Sequence, residues 1–358
     1  MDIFPIIKIL GIAAVAFIIA FFTTPILSHF LYKYKLGKKI RNEGKTPIYT
    51  SLHKGKEGTP TMGGILVWAA VIFVIIIIFI LSKLFPETIF SELNFLTRKQ
   101  TLLPLGILIF GAIVGLIDDL IGISKIGGRG KGLRMRTRLI IYTLIAAVGA
   151  YWFYFKLDWD LIHIPFVGDF NIGLWYVPIF LFIIIATAFS ANETDGLDGL
   201  AGGVLLVAFS AYAVVSYAQG KLELATFCGA IVGALLAFLW FNIHPARFFM
   251  GDTGSMSLGV TLGVIAMLTN SLFFLPFFAF ILVIESLSVL IQMISKKVRN
   301  KKVFLSSPIH HHFEAKGWPE SKVTMRFWII AGVVAAIGLI LFFMNNNFII
   351  QKYVRYSY

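Results

Sequence analysis

Residues Val71–Leu81 read VIFVIIIIFIL, a run of apolar side chains without a single charge. In a bilayer, no water is present to satisfy the backbone N–H and C=O groups of such a run, and an α-helix satisfies them internally. The apolar segment around it, residues 63–83, has the length of about 20 residues that crosses the hydrocarbon core. The stretch therefore predicts a membrane-spanning helix.

Similar runs recur along the whole chain of 358 residues, of which 58% are hydrophobic and only 14% are charged. Soluble domains carry about 25% charged residues, so a soluble, disordered or fibrous protein is excluded. We predict an all-α, polytopic integral membrane protein with a single transmembrane domain over residues 1–358, which includes a short tail at 344–358. The ten predicted spans lie near residues 9–31, 63–83, 101–117, 139–157, 174–191, 199–218, 224–243, 255–269, 272–295 and 327–346.

The basic residues predict the orientation of these spans. The net charge is +13, and 22 of the 31 lysines and arginines lie in the loops between spans one and two, three and four, and nine and ten. Because lysine and arginine collect in cytoplasmic loops, we expect the odd-numbered loops to be cytoplasmic and both termini to be extracytoplasmic. The positive charge then reflects topology, and we expect no nucleic-acid partner.

Charge at a membrane boundary is costly, so polar clusters there are candidate functional sites, and the chain has four. The first is Asp118-Asp119, at the predicted end of span three. Adjacent side chains on a helix point about 100° apart, so one carboxylate can bind a metal ion while the other faces a substrate proton. The alternative is a pair of helix-end caps, which is disfavoured because acids at a helix C-terminus oppose the helix dipole.

The second cluster, Asn192–Leu200, holds Glu193, Asp195 and Asp198 between spans five and six. If the stretch is helical, Asp195 and Asp198 share a face. The pattern lacks the alternating oxygen ligands and the distal glutamate of a calcium loop. A glycine-rich turn with solvated acids is the alternative to a ligand site.

The third cluster covers Asn242–Pro245 and Phe248–Ser255, between spans seven and eight. Asp252 or Ser255 is a candidate N-cap of span eight. The free N–H groups of a helix N-terminus also suit a phosphate or a carboxylate, and an aromatic residue beside the turn can stack on a base. Capping and ligand binding both stay open for this segment.

The fourth cluster, Ser307–Glu314, contains the consecutive residues His310, His311 and His312. Three consecutive histidines lack the spacing of a zinc site. The single cysteine, Cys228, excludes a cysteine-based metal cluster. We therefore expect these histidines to donate hydrogen bonds to phosphate or sugar groups.

All four clusters lie in odd-numbered loops, so the charge bias places them together on the cytoplasmic side. Carboxylates that can hold Mg²⁺ are combined there with cations and imidazoles that can hold phosphates. This combination is typical of phosphoryl transfer, in which catalysis rests on positioning and charge neutralisation. The sequence therefore indicates a phosphoryl-transfer site at the cytoplasmic membrane surface.

At these motifs the chain resembles the polyprenyl-phosphate N-acetylhexosamine-1-phosphate transferase superfamily, and in particular its phospho-N-acetylmuramoyl-pentapeptide transferases (the translocase I type). The triple histidine is the most discriminating motif, because it resembles the muramoyl branch. The resemblance covers nearly the whole chain. The motifs that carry it are Thr59–Gly64, Asp118-Asp119, Asn192 with Thr194–Leu200, Trp240–Asn242, Phe249–Ser255 and Pro308–Glu314.

The resemblance implies a reaction and its components. The chain would transfer phospho-N-acetylmuramoyl-pentapeptide from UDP-N-acetylmuramoyl-pentapeptide (UDP-MurNAc-pentapeptide) to undecaprenyl phosphate, forming lipid I and UMP in peptidoglycan biosynthesis. The cofactor implied is Mg²⁺. A homodimer in the bacterial inner membrane, with its active site facing the cytoplasm, is also implied.

Carried over position by position, the resemblance implies roles for individual residues. Asp252 would be a Mg²⁺ ligand, and Asp118 and Asp119 would act on the lipid phosphate or help to hold the metal. Phe249 would stack on uracil, and Lys56 would approach the nucleotide. The further residues implied are Thr61, Asn192, Asp195, Asp198, Asn242, Gly251, Ser255 and Arg138 for substrate binding, and His310, His311 and His312 for the phosphates.

The chain departs from the family pattern at three positions. Gly122 stands where the family has a lysine, and Lys125 or Arg129 is the candidate substitute. Phe189 replaces an asparagine, which removes one polar contact. Arg138 stands at a basic family position and keeps the charge there but not the geometry of lysine.

Two other functions stay open. A relative that acts on a UDP-N-acetylhexosamine would make a different lipid-linked sugar. An ion-coupled transporter needs polar groups near the bilayer midplane, and Glu285 in span nine is the ionisable residue placed deep inside a span. A satisfied contact between helices is the favoured explanation of Glu285.

Overall fold

A computed structural model of the chain describes residues 3–37, 56, 58–98, 100–123 and 132–356, with side chains up to residue 345. Most of these residues are helical, as the sequence predicts. Strands β1 (Leu161–Ile164) and β2 (Gly168–Asn171) form an antiparallel hairpin. The helices, numbered in chain order, are α1 Phe4–Lys33, α2 Ile65–Leu84, α3 Ile89–Leu93, α4 Leu102–Ile123, α5 Met135–Tyr151 with a π-helical extension at Trp152–Lys156, α6 Tyr176–Thr194, α7 Leu200–Ala218, α8 Leu222–Asn242, α9 Gly251–Leu268, α10 Leu275–Phe278, α11 Phe280–Arg299, α12 Ile309–Ala315 and α13 Glu320–Tyr356.

The number of membrane crossings agrees with the sequence. Within the described residues, nine helices are long and apolar enough to cross a bilayer, and the count is ten if residues Leu272–Phe278 and α11, which are bent relative to each other, form one span. The all-α polytopic class is therefore confirmed. The ninth predicted span, residues 272–295, is not one straight helix, because its two parts meet at 88° around Ala279.

Helix α9 lies at the centre of the bundle, and all of its residues are buried. It packs mainly against α4 and α6. Small residues permit this close approach: a Cβ atom at Gly259 would lie 2.8 Å from the carbonyl oxygen of Thr187, and one at Gly111 would lie 3.0 Å from the Cα atom of Ser257. In a bilayer, such close packing is a main source of attraction between helices.

Side-chain hydrogen bonds join elements at the two ends of the bundle. At one end, Arg138 near the start of α5 donates to Asn192 near the end of α6. At the other end, the ammonium group of Lys8 donates to the carbonyl oxygen of Glu92 over 2.7 Å. The first pair lies next to the odd-numbered loops, and the basic residues of these loops predict that this end faces the cytoplasm.

The structure differs from the sequence-based boundaries near three polar clusters. Helix α4 continues to Ile123, so Asp118 and Asp119 lie within the helix and not at its end. Residues 195–199 form turns, so Asp195 and Asp198 do not share a helical face. Helix α9 begins at Gly251, ahead of the predicted start at 255.

Candidate active site

The paired aspartates of α4 are both buried but contact different groups. The Oδ2 atom of Asp118 lies 2.7 Å from the Nε atom of Arg138. Asp119 accepts hydrogen bonds from the backbone N–H of Thr253 over 3.0 Å and from the hydroxyl of Thr61 over 3.5 Å. The two carboxylates therefore have separate partners, as neighbouring side chains on a helix require.

Arg138 on α5 connects three other helices through its guanidinium group. Besides its contact with Asp118 on α4, its Nη2 atom donates to the Oδ2 atom of Asp252 on α9 over 2.7 Å. Its Nη1 atom donates to the Oδ1 atom of Asn192 on α6 over 2.8 Å. The planar fork of arginine suits several oxygen partners at once. Two carboxylates around one guanidinium group leave an excess of negative charge at this point.

Asp252 lies in the first turn of α9, where the helix dipole favours a negative charge. The N-cap residue of this helix is Met250, so the interpretation of Asp252 or Ser255 as the N-cap is wrong. The side-chain amide of Asn192 instead donates to the Oδ1 atom of Asp252 and, over 3.2 Å, to the hydroxyl of Ser255. Asn192 thus links α6 to the start of α9.

A pairing between two backbone segments holds the start of α9 against the segment before α2. The N–H groups of Gly63 and Gly64 donate to the carbonyl oxygens of Phe249 and Met250, each over 2.8 Å. A side chain at Gly64 would collide with the backbone of Gly254. The two glycines of the Thr59–Gly64 motif are therefore required by the close approach of two backbones.

The turn into α9 depends on Gly251, whose φ of +74° lies in the left-handed region that favours glycine. Its N–H group donates to the Oδ2 atom of Asp195 over 2.9 Å. A Cβ atom at this position would lie 2.6 Å from both the Oδ2 atom of Asp119 and the Oγ1 atom of Thr61. Four residues predicted for the site therefore meet at this turn, namely Thr61, Asp119, Asp195 and Gly251.

A second charged cluster surrounds Lys56. Its Nζ atom lies 2.7 Å from the Oδ1 atom of Asp198 and also contacts the Oε1 atom of Glu320. The Nδ1 atom of His244 lies 2.9 Å from the Oδ2 atom of Asp198 and 3.5 Å from the Oε2 atom of Glu320. We refer to these four residues as the Lys56 cluster.

The charges of the Lys56 cluster stabilise one another. Burial alone would lower the pKa of Lys56, but the carboxylates of Glu320 and Asp198 outweigh it, and the pKa is raised. Burial would raise the pKa of Asp198, but the charge of Lys56 and hydrogen bonds from Lys56, His244 and the Ala246 N–H outweigh it, and the pKa is lowered. Both groups are therefore charged at neutral pH.

Phe249 is an aromatic residue that a nucleobase can reach in this region. It is half-buried, whereas the neighbouring Phe248 is fully buried. The Nζ atom of Lys56 lies 5.6 Å from the centroid of the Phe249 ring. Asn242 supports this backbone, because its amide donates to the carbonyl of Phe248 over 2.7 Å and its Oδ1 atom accepts from the N–H of Gly199 over 3.0 Å.

The three consecutive histidines have different surroundings. His310 is fully buried, and its Nδ1 atom lies 2.9 Å from the Oε2 atom of Glu285. His311 is buried with its Nδ1 atom 2.7 Å from the Oε2 atom of Glu314, and the more exposed His312 accepts a backbone N–H at its Nδ1 atom. In each ring the Nδ1 atom has a protein partner. Glu285 is the residue that raised the possibility of a transporter. Its partner is His310 on α12, a helix of the loop after span nine.

The predicted metal ligands fit the preferences of Mg²⁺ in part. Asp118 and Asp252 each place an oxygen 2.7 Å from a nitrogen of Arg138, whereas Asp119 accepts the N–H of Thr253. Mg²⁺ is usually bound through one or two carboxylates, and substrate phosphates and waters complete its octahedron. The pair Asp118 and Asp252 supplies such an all-oxygen donor set.

A different set of side chains has the tighter geometry for a cation. Among the described residues, ligand atoms of Asp198, His244 and Glu320 lie within 4.8 Å of one another. The ammonium group of Lys56 already contacts both carboxylates of this set. Each set already contacts a cation, Lys56 in this case and Arg138 in the case of Asp118 and Asp252. Because Mg²⁺ prefers oxygen ligands and this set includes the imidazole of His244, we favour Asp118 and Asp252 as the site for Mg²⁺.

The structure therefore groups most of the predicted site residues around Arg138, Gly251 and Lys56. The sequence did not predict His244 and Glu320 as site residues. The signal for Glu320 is an acidic residue in the otherwise basic loop between spans nine and ten. The candidate substitutes for the lysine absent at Gly122, namely Lys125 and Arg129, lie outside the described residues.

Comparisons with known proteins show the family to which the chain belongs. Residues 101–270 match the family described as glycosyl transferase family 4. The chain is 39% identical over 345 residues to a phospho-N-acetylmuramoyl-pentapeptide-transferase of Chloroflexus aggregans, covering 93% of this chain and 89% of the relative. It is 38% identical over 337 residues to the protein of that name in Clostridium novyi, covering 93% and 97%. At this identity over nearly the full length of both proteins, the chain belongs to the phospho-N-acetylmuramoyl-pentapeptide-transferase family.

Proposed function

We propose that the chain transfers phospho-N-acetylmuramoyl-pentapeptide from UDP-MurNAc-pentapeptide to undecaprenyl phosphate, which releases UMP and forms lipid I for peptidoglycan biosynthesis. The observation that carries the proposal is the connection of Asp118, Asn192 and Asp252 through the guanidinium group of Arg138. Carboxylates, an amide and a cation from four helices meet there, at the end of the bundle expected to face the cytoplasm. Membership of the family supports the same reaction.

Asp118 is the group that we assign to the lipid phosphate. It lies in the last turns of α4, at the membrane boundary where the phosphate of a lipid substrate resides. The N–H of Leu133 and the guanidinium group of Arg138 each contact one of its oxygens and so orient the side chain. As a carboxylate, it can accept the proton of the lipid phosphate and orient the attacking oxygen.

The nucleotide is assigned to Phe249 and its neighbours. The half-buried ring offers a face for uracil, and Lys56 beside it offers an ammonium group for a phosphate oxygen. Asp195 and Asn242 fix the backbone on either side of the ring through Gly251 and Phe248. These two hydrogen bonds therefore fix the turn that carries the Phe249 ring.

The transfer exchanges one phosphorus–oxygen bond for another. An oxygen of the lipid phosphate attacks the β-phosphorus of the UDP-sugar, the bond from this phosphorus to the bridging oxygen breaks, and UMP leaves with the electron pair. Arg138 and Lys56, together with His310, His311 and His312, are the groups assigned to stabilise the charge on the phosphates. A covalent aspartyl intermediate is the alternative course, and exchange of labelled UMP into the UDP-sugar without lipid phosphate would reveal it.

Mg²⁺ is proposed as the cofactor, held by Asp252 and Asp118 with Asp119 close by. When bound, it neutralises charge on the pyrophosphate of the nucleotide. Arg138 then orients the same two carboxylates, since it contacts one oxygen of each. Removal of divalent cations with a chelator should abolish UMP release, and addition of Mg²⁺ should restore it.

The proposal includes the place and assembly of the enzyme. The three basic loops support a bacterial inner membrane protein whose active site faces the cytoplasm and whose termini lie outside. We propose a homodimer, as in the family. Light scattering of the purified protein in detergent tests the dimer, and labelling of cysteines introduced at the termini of intact cells tests the orientation.

The deciding experiment measures UMP release by the purified protein in detergent with undecaprenyl phosphate. UDP-MurNAc-pentapeptide and UDP-N-acetylglucosamine are compared, each with and without Mg²⁺. Release with the muramoyl substrate alone supports the proposal. Release with UDP-N-acetylglucosamine alone would instead select an N-acetylhexosamine-1-phosphate transferase.

A further inference from the structure

Glu320, in the first turn of α13, contacts three members of the site region. Its Oε1 atom contacts the ammonium group of Lys56 and accepts a hydrogen bond from the backbone N–H of Asp198 over 2.6 Å. Its Oε2 atom lies 3.5 Å from the Nδ1 atom of His244. The side chain is only 10% exposed, so these contacts are largely shielded from water.

The two contacts of the Oε1 atom join a side chain to a backbone turn. Lys56 belongs to the loop between α1 and α2, whereas Asp198 lies in the turn between α6 and α7. A lysine has a long, flexible stem and loses much conformational freedom when it is held in one place. Glu320 and Asp198 hold the ammonium group from two directions, which fixes it 5.6 Å from the centre of the Phe249 ring.

Counted over the residues that the structure describes, the ammonium group has capacity for one further acceptor. It carries three N–H donors. Among the described residues, its two oxygen partners are Asp198 and Glu320. One N–H is not used by this pair, and the half-buried ring of Phe249 lies beside the ammonium group.

We propose that Glu320 is a positioning residue that holds Lys56 beside Phe249, so that the ammonium group meets a phosphate oxygen of the bound uridine nucleotide. The inference rests on the proposed function, and it adds a residue to which no role was assigned. Glu320 does not touch the nucleotide itself. It acts by fixing the cation and the turn that carries Asp198.

Nucleotide binding and turnover with the variant Glu320→Gln provide the first test. Glutamine keeps the shape and can still accept the Asp198 N–H, but it removes the charge that holds the ammonium group. We expect the Kd for UMP and the KM for the UDP-sugar to rise about tenfold, as for loss of one hydrogen bond to a charged group, with kcat changed far less. Glu92→Gln, an exposed site at the opposite end of the bundle, is the matched control and should leave both constants unchanged.

A double-mutant cycle distinguishes positioning from general support of the fold. If Glu320 acts through Lys56, Glu320→Gln should weaken UMP binding in the wild-type background but have little further effect in Lys56→Gln. Additive losses in the cycle would overturn the inference. Should Glu320→Gln fail to fold, Glu320→Asp keeps the charge but withdraws it by one methylene, and unchanged UMP affinity in that variant would equally overturn it.

The failure of the inference is separable from failure of the proposed function. A wild-type protein that binds UMP and releases it from UDP-MurNAc-pentapeptide, with variants at Glu320 that bind equally well, contradicts the inference alone. A wild-type protein that releases no UMP from either UDP-sugar contradicts the proposed function.

Discussion

The Nη2 atom of Arg138 lies 2.7 Å from the Oδ2 atom of Asp252, and this contact joins α5 to the first turn of the central helix α9. The same guanidinium group also holds Asp118 and Asn192. Arg138 therefore contacts side chains of three other helices at once. Its own replacement is the most direct test of the site.

Arg138→Lys keeps the positive charge but removes the planar fork. An ammonium group at the end of a flexible stem cannot contact Asp118, Asp252 and Asn192 in the same directions. We expect kcat for UMP release to fall about 10²-fold, as for loss of one electrostatic catalytic contact. Arg136→Lys, an exposed site on the same helix, is the control and should retain full activity. Normal turnover in Arg138→Lys would contradict the role of the fork.

Asp118→Asn should separate catalysis from nucleotide binding. The amide keeps the shape of the carboxylate but cannot accept the proton of the lipid phosphate, so we expect turnover to fall about 10²- to 10⁴-fold. The Kd for UMP, measured without Mg²⁺, should remain close to that of the wild type, because Phe249 and Lys56 are unchanged. Calorimetry with UMP and an assay of UMP release measure the two effects. Near-normal turnover would remove Asp118 from the mechanism.

The buried pair of His310 and Glu285 makes stability depend on pH. Burial alone would lower the pKa of His310, but the charge and hydrogen bond of Glu285, with Glu314 and Glu193 nearby, outweigh it and raise the pKa above its ordinary value of about 6.5. The folded state therefore holds the proton more tightly than the unfolded state does. This contribution to stability is fully present below the unfolded pKa and is lost as the pH rises through the folded pKa.

The expected outcome is a Tm in detergent that falls as the pH is raised from about 6 through the raised pKa of His310. In His310→Asn this part of the pH dependence should disappear. His29→Asn removes an exposed histidine and serves as the control that should keep it. The same slope of Tm against pH in wild type and in His310→Asn would contradict the assignment of this pH dependence to His310.

Gly251→Ala tests the turn into α9. An alanine there must adopt a φ of +74° and place its Cβ atom 2.6 Å from oxygens of Asp119 and Thr61. We expect a loss of about 1–3 kcal/mol in the free energy of unfolding from backbone strain, together with loss of activity. Gly332→Ala, in α13 where a Cβ atom meets nothing within 4 Å, is the matched control. Wild-type stability and turnover in Gly251→Ala would show that the turn tolerates a side chain.

The spans could be predicted because the length and apolarity of a segment are enough to identify a membrane-spanning helix. The seventh span, predicted at residues 224–243, is the helix Leu222–Asn242. The bend around Ala279 could not be predicted in the same way, since both parts of the crossing are apolar and the break depends on packing within the bundle. The turn at residues 195–199 is a similar case, because tertiary contacts there override the spacing of Asp195 and Asp198.

Residues of the candidate site could be predicted where charge and membrane boundary coincide. Asp118 and Asp252 stand out because a carboxylate at such a place is costly without a function. Glu320 does not stand out, since its importance arises from a hydrogen bond to Asp198, 122 positions away. Only the folded chain brings these two residues together. The catalytic roles assigned from the resemblance stay predictions for the experiments above.

The enclosure of α9 has a consequence for how the protein is made. Among the nine straight candidate spans of the described chain, α9 is the least hydropathic, and it is the one buried along its whole length. Entry of a nascent segment from the translocon into lipid depends on the hydrophobicity of that segment. Its main neighbours, α4 and α6, are synthesised before it. We therefore expect α9 to rely on these helices to receive it during biosynthesis, so that a defect in either one displaces the turn at Gly251 as well.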